Sequence, residues 1–283
     1  MIYRVVHQIR YTYSASVFLE PHIVRLRPRA DACQQVDRFT MTVDPRPVAM
    51  HDFLDAEGNS ATTLWFEEMS GSLSLATSFE VHTLCANPFG YLVTDPGFLE
   101  LPVRYTPENA ESLAPFLGTG GPDEELASFS RAIRAEVDGS TLDFLSHLCA
   151  AMYEQFTVEV RSEGQALPPG ITLAKRGGAC RDLALLFVEI CRGAGIAARF
   201  VSGYQEGEAG MEDRHLHAWA EVYIPGGGWR GYDPSHGLAV ADRHIPLAAS
   251  RRPAGAAPVT GSFRGSGVTA KMDFQISLDH VAS

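Results

Sequence analysis

Gly177-Gly178-Ala179-Cys180-Arg181-Asp182 runs directly into Leu183, Leu186, Phe187, Ile190, Cys191 and Ala194. These apolar positions recur at spacings of three and four, the stripe of an amphipathic helix, and Gly193 or Gly195 closes it. The helix therefore starts at or beside Cys180. Two glycines ahead of it let the backbone turn and let other groups approach. The positive end of the helix dipole and its unpaired N–H groups favour a thiolate there, and the Cys180 N–H is placed to help hold an oxyanion. A buried, inert thiol is the plain alternative, because free cysteine is among the most buried residue types.

Downstream, Leu216-His217-Ala218-Trp219-Ala220-Glu221-Val222-Tyr223-Ile224 alternates with a period of two. Leu216, Ala218, Ala220, Val222 and Ile224 share one face of a strand, and His217, Trp219, Glu221 and Tyr223 share the other. Pro225-Gly226-Gly227-Gly228 then turns the chain into Trp229-Arg230-Gly231-Tyr232-Asp233-Pro234. In an antiparallel hairpin centred near residue 225 or 226, His217 lies opposite Asp233 or within a residue or two of it. Opposed side chains on one face have Cβ atoms about 4.5–5.5 Å apart, within reach for a carboxylate to orient an imidazole. Pro234 keeps Asp233 extended. Alone, His217 reads as an interior histidine and Asp233 as a turn residue. Together with Cys180 they make a nucleophile, a base and an orienting carboxylate, the set a thiol needs to ionise near neutral pH.

Upstream, the first hundred residues read as β. Val5 to Tyr13, His22 to Arg27, Phe39 to Asp44 and Ser78 to Leu84 are candidate strands. Asp52 to Phe66 reads as two strands around a turn at Asp55 to Asn59, where Asp, Gly and Asn supply left-handed geometry. Short strands so punctuated predict a β-sandwich or small barrel over residues 1–105. The Pro- and Gly-rich stretch from Pro102 to Pro122 predicts a linker over 106–125. Asp123 to Val137 and Thr141 to Phe156 follow as helices, with Leu142, Leu145, Leu148, Met152 and Phe156 as a buried stripe. Residues 162–170 read as a loop. The remaining chain, 126–283, is expected to be one core of helices plus antiparallel sheet, giving an α+β protein.

Composition narrows the function. A chain of 283 residues with 23 Lys plus Arg against 34 Asp plus Glu carries a net charge of −11. That balance argues against a nucleic-acid partner, whose footprint needs a basic face. No run approaches the 18 apolar residues of a membrane span. Met1 to Arg10 holds Arg4, His7 and Arg10 where a signal peptide needs an unbroken apolar stretch. Five scattered cysteines, an odd number with no C-x-x-C pair, predict reduced thiols and a cytoplasmic protein.

Taken in order, Gly-Ala-Cys180-Arg-Asp182, Arg199-Phe200-Val201-Ser202-Gly203-Tyr204, His217-Ala-Trp219-Ala-Glu221-Val-Tyr and Gly228-Trp229-x-x-Tyr232-Asp233-Pro234 resemble the bacterial transglutaminase-like proteins. Tyr11-Thr12-Tyr13, Pro21-His22 through Leu26-Arg27-Pro28, and Asp55-x-x-Gly58-Asn59 resemble the small β domain that precedes the core in that family. The resemblance implies a papain-like core whose nucleophile is Cys180, whose base is His217 and whose orienting carboxylate is Asp233. It implies acyl transfer on a peptide or protein amide, with no cofactor and no metal, and leaves open whether the outcome is peptidase, amidase or transferase. Two positions depart from the family pattern. Leu185 stands where many members have histidine, and Ser250-Arg251-Arg252-Pro253 stands where many have Gly-Arg-Asp-Tyr, a change at the expected rim of the site.

Other residues carry weaker expectations. Trp219 and Tyr232 are expected as packing or as cleft walls that touch substrate. Cys191 reads as a core thiol and Asp182 as a helix cap. His236 and His244 read as surface-loop residues, and Arg251-Arg252 as solvated. His215-x-His217 with Cys180 is a possible zinc set, weak without further ligands at spacing. A catalytically silent scaffold, with Gln205 to Arg214 as an interaction loop, is the alternative to an enzyme. Oligomeric state is left open.

Overall fold

The computed structural model describes residues 1–118, 124–161, 163–207 and 214–281. In chain order the first elements are β1 (Ile2–Leu19), β2 (His22–Val24), β3 (Gln34–Asp44), β4 (Ala49–Leu54), β5 (Ser60–Trp65) and β6 (Met69–Thr83). Helices α1 (Pro107–Leu113), α2 (Glu124–Ala135) and α3 (Thr141–Gln155) follow, then β7 (Thr157–Val158), α4 (Pro169–Lys175), β8 (Gly177–Gly178) and α5 (Cys180–Gly193). The chain continues through β9 (Ala198–Gln205), β10 (His217–Ile224), β11 (Gly228–Asp233), β12 (Leu238–Ala239) and β13 (His244–Ser250). It closes with β14 (Val259–Thr260), β15 (Phe263–Arg264) and β16 (Ala270–His280).

β1 organises the N-terminal unit. Its burial alternates, with Tyr3, Val5, His7 and Ile9 turned inward, as a strand with one buried face requires. Antiparallel β6 lies on one edge, from Ile2↔His82 to Thr12↔Ser72, and β16 on the other, from Tyr3↔His280 to Tyr13↔Ala270. A second sheet in the order β14-β2-β5-β4 faces it, and Leu19, Leu26, Leu64, Leu73 and Phe79 fill the space between.

The boundaries differ from those expected. The stretch read as linker, 106–125, contains α1, which Thr106 caps by accepting the Asn109 N–H; part of it, 119–123, lies outside the described residues. The expected core, 126–283, does not stay in one unit, because β14, β15 and β16 return to the N-terminal sheets. Met272, Phe274, Ile276 and Leu278 of β16 all pack into or against the β core, so the return buries one apolar face of that strand.

The cysteines differ as well. Cys33 and Cys85 form a disulfide, with Cα atoms 5.1 Å apart. The β3–β6 ladder runs to Gln34↔Thr83, and the Leu84 N–H bonds the Cys33 carbonyl, so strand pairing delivers the two thiols to one place. Cys149, Cys180 and Cys191 are free. The expectation of five reduced thiols is therefore corrected.

A further five-stranded sheet runs β12-β11-β10-β9-β13, antiparallel throughout. On one face α5 lays Leu183, Leu186, Phe187, Ile190 and Cys191 against Ala220, Val222 and Ile224 of β10 and against Phe144, Leu145, Leu148 and Met152 of α3. The other face meets the β unit, whose core takes in Tyr204, Ile245 and Leu247. Both faces are thus buried, and β9 and β13 are buried along nearly their whole length.

Polar clamps fix that junction. The Asn59 side chain bonds the Ala249 backbone twice, donating to its carbonyl and accepting its N–H, each at 2.8 Å. Asp55 holds the same loop by accepting the Asn59 N–H at 2.9 Å and the Glu57 N–H at 3.0 Å. Glu221, buried on β10, accepts from Arg199 on β9 at 2.7 Å and sits 3.3 Å from Arg29 of the β unit. Removing one partner of such a buried pair costs about 3–5 kcal/mol, because the other charge is left unmatched.

Candidate active site

Cys180 is the first residue of α5, with Ala179 extended as its N-cap. The approach is clamped. β7 and β8 pair in parallel through Thr157↔Gly177 and Val158↔Gly178. Asp182, with no exposed surface, accepts the Ala179 N–H at 2.8 Å and the Leu167 N–H at 2.7 Å, and takes both arms of Arg161 at 2.8 Å. A Cβ on Gly178 would stand 2.8 Å from Asp182 Oδ2 and 2.9 Å from Asp182 Cβ, so only glycine lets this carboxylate fold under the helix start. Asp182 is a cap and anchor.

The Cys180 side chain is half-buried against Ala184, Phe200, Ala218, Ala248 and Ala256. Ala256 comes from the turn after Arg252, and its carbonyl accepts the Ser202 hydroxyl at 2.6 Å. The turn that follows the departing segment therefore reaches the surroundings of Cys180.

His217 begins β10 with its side chain 12% exposed, and its Nε2 lies 2.7 Å from Asp233 Oδ2. The β10–β11 ladder pairs Ala220 with Tyr232 and Ile224 with Gly228. Extending that register sets Asp233 across from Trp219, so His217 meets it on the diagonal, two residues along the same face. His217 also neighbours Cys180, close enough for each to shift the other's titration. Three elements thus bring Cys180, His217 and Asp233 together, with the His217–Asp233 hydrogen bond as the fixed link.

Electrostatics follow from this contact. Burial pushes the Cys180 thiol up, but the His217 hydrogen bond and charge and the Ala218 backbone outweigh it, and the thiol lies below its ordinary value. Burial works against charging His217, yet Asp233 and Cys180 raise the imidazole to about 10. Burial also opposes the Asp233 carboxylate, and its three imidazole neighbours hold it well below the usual carboxylate range. Both shifts favour a thiolate beside an imidazolium. Burial raises the thiols of Cys149 and Cys191 instead, which makes them inert.

The other candidates fall differently. Trp219 is 1% exposed and Tyr232 2% exposed, so neither lines an open cleft here. Trp219 lies beside His217 and meets His244 edge-on, with centroids 5.1 Å apart. Tyr232 points to the opposite face and stacks on Phe187 at 5.7 Å. His236 and His244 are not free loop residues: His236 Nδ1 lies 2.8 Å and His244 Nε2 3.0 Å from Asp233 Oδ2, and His244 is buried. Their role was missed because the contact is tertiary. The turn Asp233-Pro-Ser-His236 offers a local hint, whereas nothing near His244 points across the sheet.

His215 packs against Phe274 of β16 at 5.3 Å and so does not join Cys180 and His217 as a ligand set. Donor atoms of His217, Asp233 and His236 do lie within 4.8 Å of one another. The two ring nitrogens that face Asp233 must carry hydrogens to bond an ionised carboxylate, so they present protons rather than lone pairs to that centre. Of the Gln205–Arg214 loop, residues 208–213 lie outside the described residues.

A cysteine at a helix start, with a histidine and an aspartate on adjacent antiparallel strands, defines a papain-like arrangement. The sequence matches the bacterial transglutaminase-like N-terminal region over residues 3–82 and the transglutaminase-like superfamily over residues 127–234, and the chain belongs to that superfamily. An uncharacterized protein of Mycobacterium tuberculosis is 27% identical over 295 residues, covering 98% of this chain and 92% of that one. A protein-glutamine gamma-glutamyltransferase of Pseudomonas aeruginosa is 38% identical over 71 residues, 23% of this chain and 11% of that one. Among solved structures, a candidate cysteine protease from Cytophaga hutchinsonii superposes with a TM-score of 0.70 at 19% identity, covering 100% of this chain and 92% of that one. That likeness shows the fold.

Proposed function

We propose that the protein is a cysteine-dependent acyl-transfer enzyme acting on peptide or protein amides through Cys180, His217 and Asp233. The observation that carries the proposal is His217, bonded to Asp233 at 2.7 Å and neighbouring the Cys180 thiol at the start of α5. The Cys180 thiolate attacks the amide carbonyl, and the negative charge that develops on oxygen meets the Cys180 N–H at the start of α5, where helix N–H groups lack intrahelical partners. As the tetrahedral adduct collapses, the C–N bond breaks and the His217 imidazolium passes its proton to the departing nitrogen, leaving a thioester. His217, now neutral, takes a proton from water or from an amine that attacks the thioester, and Cys180 is released. Asp233 keeps the imidazole in the required tautomer throughout.

The short match to a protein-glutamine gamma-glutamyltransferase makes peptide-bound glutamine the first acyl donor to offer. Water and amine arms follow from the same thioester, and access decides between them. A compartment in which Cys33 and Cys85 stay joined, oxidising rather than cytoplasmic, belongs to the same reading.

The test offers glutamine-containing peptides, with and without a primary amine, to the wild type and to Cys180→Ala, with products read by mass spectrometry. Amine incorporation, deamidation and peptide cleavage give distinct mass changes. Iodoacetamide should also label Cys180 well below the pH at which a free thiol reacts. A Cys180 that labels like an ordinary thiol, unaffected by His217→Ala, would falsify the activated nucleophile and favour a silent scaffold.

A further inference from the structure

Asp233 serves more than His217. Its Oδ2 lies 2.7 Å from His217 Nε2, 2.8 Å from His236 Nδ1 and 3.0 Å from His244 Nε2, while Oδ1 accepts the Ser235 N–H at 2.9 Å. An ionised carboxylate can only accept, so each ring nitrogen that faces it bears a hydrogen. The hydrogen on three ring nitrogens is thereby placed. His236 donates through Nδ1 and His244 through Nε2, and the opposite nitrogen of His244 is buried without a partner among the described residues.

The backbone does not do this work. The β10–β11 pairs stop at Ala220↔Tyr232, and Asp233 passes at once into Pro234 and a turn. The two extra donors reach Asp233 from that turn and from β13, which is not a neighbour of β11 in the sheet. A Cβ on Gly203 of the intervening β9 would stand 2.6 Å from the Trp219 ring. Glycine there leaves Trp219 room to stack beside His217 and to meet His244 edge-on.

We propose that His236 and His244 are positioning residues: from two separate elements they hold the Asp233 carboxylate in the orientation that serves His217, and so set the reactivity of Cys180. The inference rests on the triad assigned above and deepens it. The groups that face His217 are Cys180 from α5, Asp233 from β11, His236 from the turn and His244 from β13, with Cys149 of α3 behind Asp233.

The geometry supplies its own controls. An asparagine amide places an N–H where histidine has Nδ1, and a glutamine amide places one where histidine has Nε2. In the full-length protein, Cys180 alkylation by iodoacetamide is followed by peptide mass spectrometry at a pH below the free-thiol range. His236→Ala and His244→Ala should slow it about tenfold, the effect of about one unit in the thiol pKa on the thiolate fraction. His236→Asn and His244→Gln should stay within about twofold of wild type, because the donor is kept. The crossed variants His236→Gln and His244→Asn, with the donor at the wrong reach, should behave like alanine.

Alanine variants that react as fast as wild type or faster overturn the proposal, as do isosteres no better than alanine. His236 has a side chain 41% exposed, so its series decides the matter should the buried His244 variants not fold. A wild-type Cys180 without enhanced reactivity removes the proposed function itself. A reactive Cys180 with a flat histidine series removes only the positioning role.

Discussion

Asp182→Ala tests whether the start of α5 is held as described. The substitution removes the acceptor of two backbone N–H groups, those of Ala179 and Leu167, and of both arms of Arg161. A buried donor left without its partner costs about 1–3 kcal/mol. Ala179 is buried and bears the full penalty, whereas Leu167 is half-buried and water relieves part of it. Arg161, with its side chain 29% exposed, turns to solvent and adds little. The total is about 3 kcal/mol. At roughly 2–4 °C per kcal/mol for a chain of this class, the unfolding midpoint should fall by about 6–12 °C in differential scanning calorimetry. Because Cys180 sits on the anchored turn, its alkylation at acid pH should slow in parallel. Asp182→Asn should fall between, since the amide keeps one acceptor oxygen but loses the bidentate ion pair. A midpoint for Asp182→Ala within about 1 °C of wild type refutes the anchoring argument, because no single orphaned N–H would then be present.

Acid should destabilise the protein well before its carboxylates titrate. Burial lowers His7, which bonds Tyr204 at 2.8 Å, to about 4. A folded value below the unfolded one of about 6.5 gives stability that is full above 6.5 and lost as pH falls toward 4, about 2 kcal/mol between pH 7 and pH 5; urea midpoints should drop over that window, and less so in His7→Gln. His22 and His244 are shifted the same way by burial, so some slope should remain, but an unchanged slope in His7→Gln contradicts the assignment. Denatured without reductant, the protein should titrate three thiols, matching the free Cys149, Cys180 and Cys191, and five after reduction; five at the outset would contradict the Cys33–Cys85 bond. Glu221→Ala should lower stability by about 3–5 kcal/mol by stranding Arg199, measured by urea unfolding. A loss below about 1 kcal/mol would mean that Arg199 finds another partner.

The site was legible where local periodicity carried it. Alternation along β10 and the glycine turn to β11 put His217 and Asp233 within a diagonal of each other, and the stripe of α5 placed Cys180 at a helix start. What escaped lies in contacts without a local signature. His244 reaches Asp233 across intervening strands. Cys33 and Cys85 are 52 residues apart in sequence, and an odd cysteine count says nothing about which thiols a ladder brings together. β16 is different, for Met272, Phe274, Ile276 and Leu278 alternate with polar residues and the strand pattern was there to be read. Its partner, some 260 residues earlier, was not.

That late partner has a consequence for biosynthesis. β1 is made long before β16, yet its second edge is covered only when Ala270–His280 arrives. At roughly 5–20 residues per second, the ribosome needs about 10–50 s to supply the missing strand. Throughout that interval a long edge with apolar side chains stays open, a template for pairing with another chain. The nascent protein is therefore most exposed to aggregation during its own translation, and slower elongation lengthens the danger.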